Sequence, residues 1–165
     1  QHGSHNIGAT NAWRTLGKGP GFLIFFLDML KGLVSVWLGS VLVGTPVAMI
    51  LCGIFAIIGH SLSIFMQFHG GKGVATGLGV ILMLMPVPTL IVFAVWLAIV
   101  AVTRYVSLGS IVAAALVPVM AWLFGYSYEY IIFGLLAALL IIVRHHANIG
   151  RLLSGTESKI HAGHR

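Results

Sequence analysis

Carboxylates are nearly absent: Asp28, Glu129 and Glu157 are the three acidic residues among 165. Charged residues make up 7% of the chain, against about 25% in an ordinary soluble domain. So little charge cannot coat a water-soluble surface of this size, and it excludes a soluble globular enzyme. Cysteine is limited to Cys52, which excludes a disulfide within the chain and leaves the redox compartment unread. Missing too is the alternation of polar and apolar residues that a membrane β-strand requires. No H-E-x-x-H motif or Cys/His ligand spacing occurs, although there are eight histidines, so no metal is expected. His145 and His146 are adjacent and would point apart on a helix; His2, His5, His161 and His164 lie near the ends.

What is present is apolar and continuous. Hydrophobic residues make up 59% of the chain, and the mean hydropathy is +1.05. Continuous runs in lipid demand helices, which satisfy their own backbone hydrogen bonds. Six spans are expected, over residues 22–43, 47–59, 74–85, 89–102, 108–124 and 130–143. Several are shorter than the roughly 20 residues of a full crossing, so tilt or local thinning is expected. Gly44-Thr45-Pro46 and Pro86-Val87-Pro88 punctuate the runs. The fold class is all-α, a polytopic membrane helical bundle, and residues 1–165 are expected to form one domain.

The sparse charge is sided. Residues 1–19, 60–73, 103–107 and 144–165 hold Arg14, Lys18, Lys72, Arg104, Arg144, Arg151, Lys159 and Arg165. The opposite turns, near Thr45, Val87 and Tyr126, hold neither Lys nor Arg. The positive-inside rule then puts the basic segments in the cytoplasm. A net charge of +6 favours anionic lipid or an anionic ligand.

Three of those segments are rich in glycine and hydrogen-bonding side chains. GSHNIGATNAWRTLGKG, residues 3–19, carries Gly3, Ser4, Asn6, Thr10, Asn11 and Arg14. Asn11 and Arg14 are three apart and share a face if helical. GHSLSIFMQFHGGKGVATGLG, residues 59–79, carries Gly70, Gly71 and Lys72 just before a new span. Backbone N–H groups at a helix start, beside a lysine, suit an anion. The nucleotide-binding P-loop pattern fails there, because Gly73 stands where Ser or Thr is required. RHHANIGRLLSGTESK, residues 144–159, carries His145, Asn148, Arg151 and Glu157. Three-residue spacings put His145, Asn148 and Arg151 on one helical stripe. Residue by residue, other readings stay open: an interfacial amphipathic segment, a snorkelling lysine and a lipid-gripping basic tail. Asp28 and Lys31, three apart inside the first run, form either a self-neutralising pair or a support for a polar group such as Arg14.

Together the three segments resemble the signatures of the bacterial acyl-phosphate:glycerol-3-phosphate acyltransferases, the PlsY family. LDMLKG at 27–32 and TRYVSLGSI at 103–111 are similar as well, and the resemblance runs along nearly the whole chain. It implies seven transmembrane helices, so the chain is expected to lack the first. It implies transfer of a fatty acyl group from acyl phosphate to the sn-1 hydroxyl of glycerol 3-phosphate, giving lysophosphatidic acid and phosphate. By the same resemblance Ser4, Arg14, Lys72, His145 and Asn148 surround the substrate phosphates and the acyl carbonyl. Gly3, Asn6, Thr10, Asn11, Gly70, Gly71, Ser107, Arg151 and Glu157 match further positions that contact substrate. The resemblance implies no cofactor, no nucleic-acid partner, and an active site facing the cytoplasm from the inner membrane. His5 and His69 depart from the family pattern. The rival reading is an organic-anion transporter, which would also bury cations between glycine-broken spans.

Overall fold

Continuous apolar runs broken by Gly and Pro should fold as helices, and they do. A computed structural model describes residues 7–64, 67–68 and 70–160. Its helices are α1 (Ala9–Leu16), α2 (Lys18–Leu42), α3 (Pro46–Ser61), α4 (Val74–Leu84), α5 (Pro86–Thr103), α6 (Val106–Leu123), α7 (Tyr128–Arg144) and α8 (His146–Leu153). No strand occurs among the described residues. Each expected apolar segment is one helix, α2 to α7.

By length and composition, α2, α5 and α6 can each cross a membrane. Helices α7 and α8 pass the same test together, bent by 62° at their junction. Helices α3 and α4 are apolar but shorter, at 16 and 11 residues. Large apolar side chains face outward along these helices; Leu42, Val102 and Leu153 are 76%, 84% and 85% exposed. In water that surface would be a liability, and in lipid it is the solvated face.

The helix ends follow local chemistry. Thr45 caps α3, its Oγ1 accepting from the Ala48 N–H at 3.3 Å, and Pro46 opens the helix. Helix α5 begins at Pro86, three residues before the expected span. The first helical N–H groups have no intrahelical acceptor, so Pro86 and Pro88 forfeit nothing by lacking theirs. Helix α2 likewise begins at Lys18, four residues early, after Gly17 turns the chain at φ 99°.

The chain divides into two compact units, Gln1–Pro86 and Val87–Arg165. In the first, α2 packs against α1, α3 and α4. Its core includes Val36, Ile50, Ile57, Val80 and Leu84. Helices α2 and α4 touch backbone to backbone: a Cβ on Gly32 would overlap the Thr76 carbonyl oxygen, and one on Gly79 the Met29 carbonyl oxygen. Overpacking typically costs about 1–3 kcal/mol where side chains can yield, and a carbonyl yields less. Gly79→Ala therefore lowers the thermal midpoint in detergent by several degrees. Gly59→Ala, at a helical position with nothing within 4 Å, holds or slightly raises the midpoint.

In the second unit α6 packs on α7. Pro118 lies inside α6, and Gly134 of α7 sits over it, where a Cβ would come 2.9 Å from the proline Cα. Phe133 is fully buried beside this contact. After α8 the chain turns at Gly155, φ 70°, and runs back to the α5–α6 turn. There the Ile160 N–H donates to the Arg104 carbonyl at 2.9 Å, and Lys159 Nζ lies 5.4 Å from the Tyr105 ring centroid. That return path carries Glu157 to the start of α6.

Candidate active site

Within the second unit the tail closes a polar cluster. The Glu157 side chain is 4% exposed and accepts three hydrogen bonds. Ser107 Oγ, in the first turn of α6, donates to Oε1 at 2.9 Å. Asn148 Nδ2, on α8, donates to the same oxygen at 2.8 Å. Arg151 Nε, one turn further along α8, reaches Oε2 at 2.7 Å and makes the ion pair. Four of the expected residues, widely separated in sequence, thus become one hydrogen-bonded group. Burial pushes the Glu157 carboxyl up, but the hydrogen bonds from Asn148, Arg151 and Ser107 and the Arg151 charge outweigh it, leaving the group below its ordinary value.

His145 sits at the break between α7 and α8 and is 3% exposed. Its Nδ1 lies 2.7 Å from the Ile141 carbonyl oxygen. A carbonyl only accepts, so Nδ1 carries the proton. The neutral ring then has its lone pair on Nε2, and the charged ring presents an Nε2–H. Asn148, on α8, is likewise buried, at 5% exposed. The single stripe expected for His145, Asn148 and Arg151 is therefore split: α8 carries Asn148 and Arg151, while His145 occupies the kink.

The first unit carries the other expected residues. Thr10, Asn11 and Arg14 lie on α1, where Asn11 and Arg14 are one turn apart. Lys72 lies on the 70–73 loop, between α3 and α4, flanked by the buried Gly71 and Gly73. The loop is folded onto the last turn of α3. Gly70 N–H donates to the Ser61 carbonyl at 3.2 Å, and a Cβ on Gly70 would overlap the His60 carbonyl oxygen. A Cβ on Gly71 would collide with His60 Nε2. Gly73, at φ 79°, caps α4 in the left-handed region and offers no side-chain cap to its first N–H groups. The glycines thus answer a steric demand of α3, independent of any ligand. Gly3, Ser4 and Asn6 lie outside the described residues, as do His5 and His69.

His60 is the residue that sequence reasoning passed over. Lys31 Nζ lies 2.6 Å from Asp28 Oδ1, as the i,i+3 spacing predicts, and also 2.6 Å from His60 Nδ1 on α3. A charged pair inside an apolar run needs polar company, and that is the signal that points to a third partner. Among the described residues no group of three or more His, Cys, Asp or Glu side chains could hold a metal ion.

Comparison with known proteins gives one answer. The family model for glycerol-3-phosphate acyltransferase matches residues 1–155. A glycerol-3-phosphate acyltransferase of Desulforudis audaxviator is 51% identical over 158 residues, covering 96% of this chain and 79% of that protein. One from Desulforamulus reducens is 48% identical over the same shares. A crystal structure of PlsY, an integral membrane glycerol 3-phosphate acyltransferase in its glycerol 3-phosphate form, superposes with a TM-score of 0.92 at 41% identity, covering 96% of this chain and 80% of that one. The lysophosphatidic acid form of PlsY gives a TM-score of 0.90 at 40% identity. On these matches, and on the apolar helices and motif residues described above, this chain belongs to the glycerol-3-phosphate acyltransferase family and is an integral membrane acyltransferase of phospholipid biosynthesis.

Proposed function

We propose that the two units make one acyltransferase domain in the bacterial cytoplasmic membrane, with its polar ends toward the cytoplasm. The acyl donor is acyl phosphate, the acceptor is the sn-1 hydroxyl of glycerol 3-phosphate, and the products are lysophosphatidic acid and inorganic phosphate. The observation that carries this reading is the buried Glu157 cluster, which fixes Asn148 and Arg151 as rigid donors one helical turn apart. Arg14, Lys72, His145, Asn148 and, from the undescribed segment, Ser4 serve the two phosphates and the acyl carbonyl. Gly3, Asn6, Thr10, Asn11, Gly70, Gly71, Ser107, Arg151 and Glu157 shape and hold that set.

The chemistry asks little covalent help of the protein. Acyl phosphate is a mixed anhydride, and phosphate is a good leaving group. The acceptor hydroxyl attacks the acyl carbonyl, a C–O bond forms, and the carbonyl-to-phosphate C–O bond breaks. The hydroxyl proton passes to the departing phosphate. The protein's share is to align the two anions and offset their charge with Lys, Arg and N–H donors. The acyl chain lies among apolar side chains and in lipid, which is why the catalyst is a membrane fold.

Purified enzyme should release inorganic phosphate from acyl phosphate only when glycerol 3-phosphate is added; a transporter releases none. His145 decides the proton route. In His145→Gln the amide nitrogen can still donate in place of Nε2–H but cannot take a proton. Base catalysis contributes typically 10²–10⁴-fold. Substrate-assisted transfer predicts a kcat loss of about tenfold in His145→Gln, within the range of a hydrogen bond. A loss of about 10²-fold or more would instead assign the base to His145.

A further inference from the structure

The His60 side chain is 6% exposed, and no step of the proposed reaction uses it. Its two ring nitrogens face different things. Nδ1 lies 2.6 Å from Lys31 Nζ, and Lys31 in turn lies 2.6 Å from Asp28 Oδ1. Asp28 Oδ1 is 3.5 Å from His60 Nδ1, so the carboxylate holds the ammonium more closely than the imidazole. An ammonium has three donors and no acceptor. Nδ1 must therefore accept from Lys31, which fixes the proton on Nε2. That Nε2–H end lies under Gly71, in the space a Cβ at that position would fill. The next residue along is Lys72.

We infer that His60, oriented by the Lys31–Asp28 pair, is a positioning residue for the 70–73 loop and hence for Lys72. The inference rests on the proposed role of Lys72 at the substrate phosphates. The pair sets the tautomer and swing of the ring, the ring supports the Gly71 backbone from beneath, and the loop presents Lys72 at a fixed height. Asp28 and Lys31 then have a use that explains charge inside an apolar helix. A chain of this kind transmits position, because a small misplacement of a charged donor is costly at the transition state.

Two substitutions separate the ends of the ring. The amide oxygen of asparagine falls near Nδ1 and keeps the Lys31 contact; the amide nitrogen of glutamine falls near Nε2 and keeps a donor under Gly71. Steady-state kinetics on full-length protein in detergent, with thermal midpoints as a folding control, should show His60→Gln within about fivefold of wild-type kcat/KM and His60→Asn down about 50-fold. Asp28→Asn, which loosens Lys31, falls between them. Equal kcat/KM in His60→Gln and His60→Asn overturns the inference, as does the reverse order, which would make the histidine a mere neutral partner for Lys31. Wild-type enzyme that forms no product would overturn the acyltransfer reading itself, a separate result from any ranking of variants.

Discussion

Lys72→Met should lower kcat/KM about 1,000-fold while the protein stays folded, a loss of about 4 kcal/mol at the transition state. In the proposed reaction, phosphoryl oxygens gain charge as the mixed anhydride breaks, and the Lys72 ammonium would offset it. Lys72 is half-buried on a loop whose neighbours Gly71 and Gly73 are buried against α3. Its position is therefore set by backbone packing, with little freedom for a replacement side chain to compensate. The first N–H groups of α4 lie close by with no side-chain cap, and they add positive potential at the same place. Lys72→Arg keeps the charge but presents a wider, flatter head, and should recover only part of the loss. Initial rates with both substrates varied check this. A lysine that only snorkels to the lipid surface would give near-normal kinetics in the methionine variant.

Glu157→Ala should lower kcat/KM about 100-fold, and Glu157→Gln about tenfold. Removing the carboxylate takes away the acceptor that Ser107, Asn148 and Arg151 share. Hydrogen bonds to a charged group are worth about 1.5–3 kcal/mol each, so losing the set both loosens α8 and frees Arg151 from its ion pair. Glutamine keeps one acceptor oxygen and so keeps part of the order. The same carboxyl predicts a pH effect on stability. Burial raises its pKa, the hydrogen bonds from Asn148, Arg151 and Ser107 outweigh that, and the folded value falls below the unfolded one of about 4.3. A lowered folded value means that the stabilisation is fully present above the unfolded value and disappears as pH falls through the folded one. Thermal midpoints should hold steady from neutral pH to about 5 and drop below about 4.3, with a smaller drop in Glu157→Gln. Scans of both proteins across that range provide the check.

Helices were legible in the sequence because lipid permits little else for continuous apolar runs. Their ends were less so. Pro86 and Pro88 read as breakers, yet they begin α5, since a proline is harmless where no N–H is needed. The kink at His145 was invisible to a three-residue spacing argument, because spacing assumes an unbroken helix and the chain bends 62° there. Motif residues Ser107, Asn148, Arg151 and Glu157 could be named, but not their shared hydrogen bonds, which span up to 50 residues of chain. The 70–73 glycines read as an anion loop. Their contact with α3 depends on which helix end lies beneath, and composition carries no trace of that. His60 escaped for the same reason: its partner Lys31 is 29 residues away on the adjacent helix.

The proposed function requires that Lys72 and Asn148 serve one phosphate-bearing substrate pair. A crystal structure with glycerol 3-phosphate bound tests it most directly. Phosphate oxygens of a single bound molecule, or of it and an adjoining inorganic phosphate, should lie within hydrogen-bond distance of both Lys72 and Asn148. Glycerol 3-phosphate held by residues of one unit alone, with Lys72 or Asn148 turned toward lipid, would contradict it.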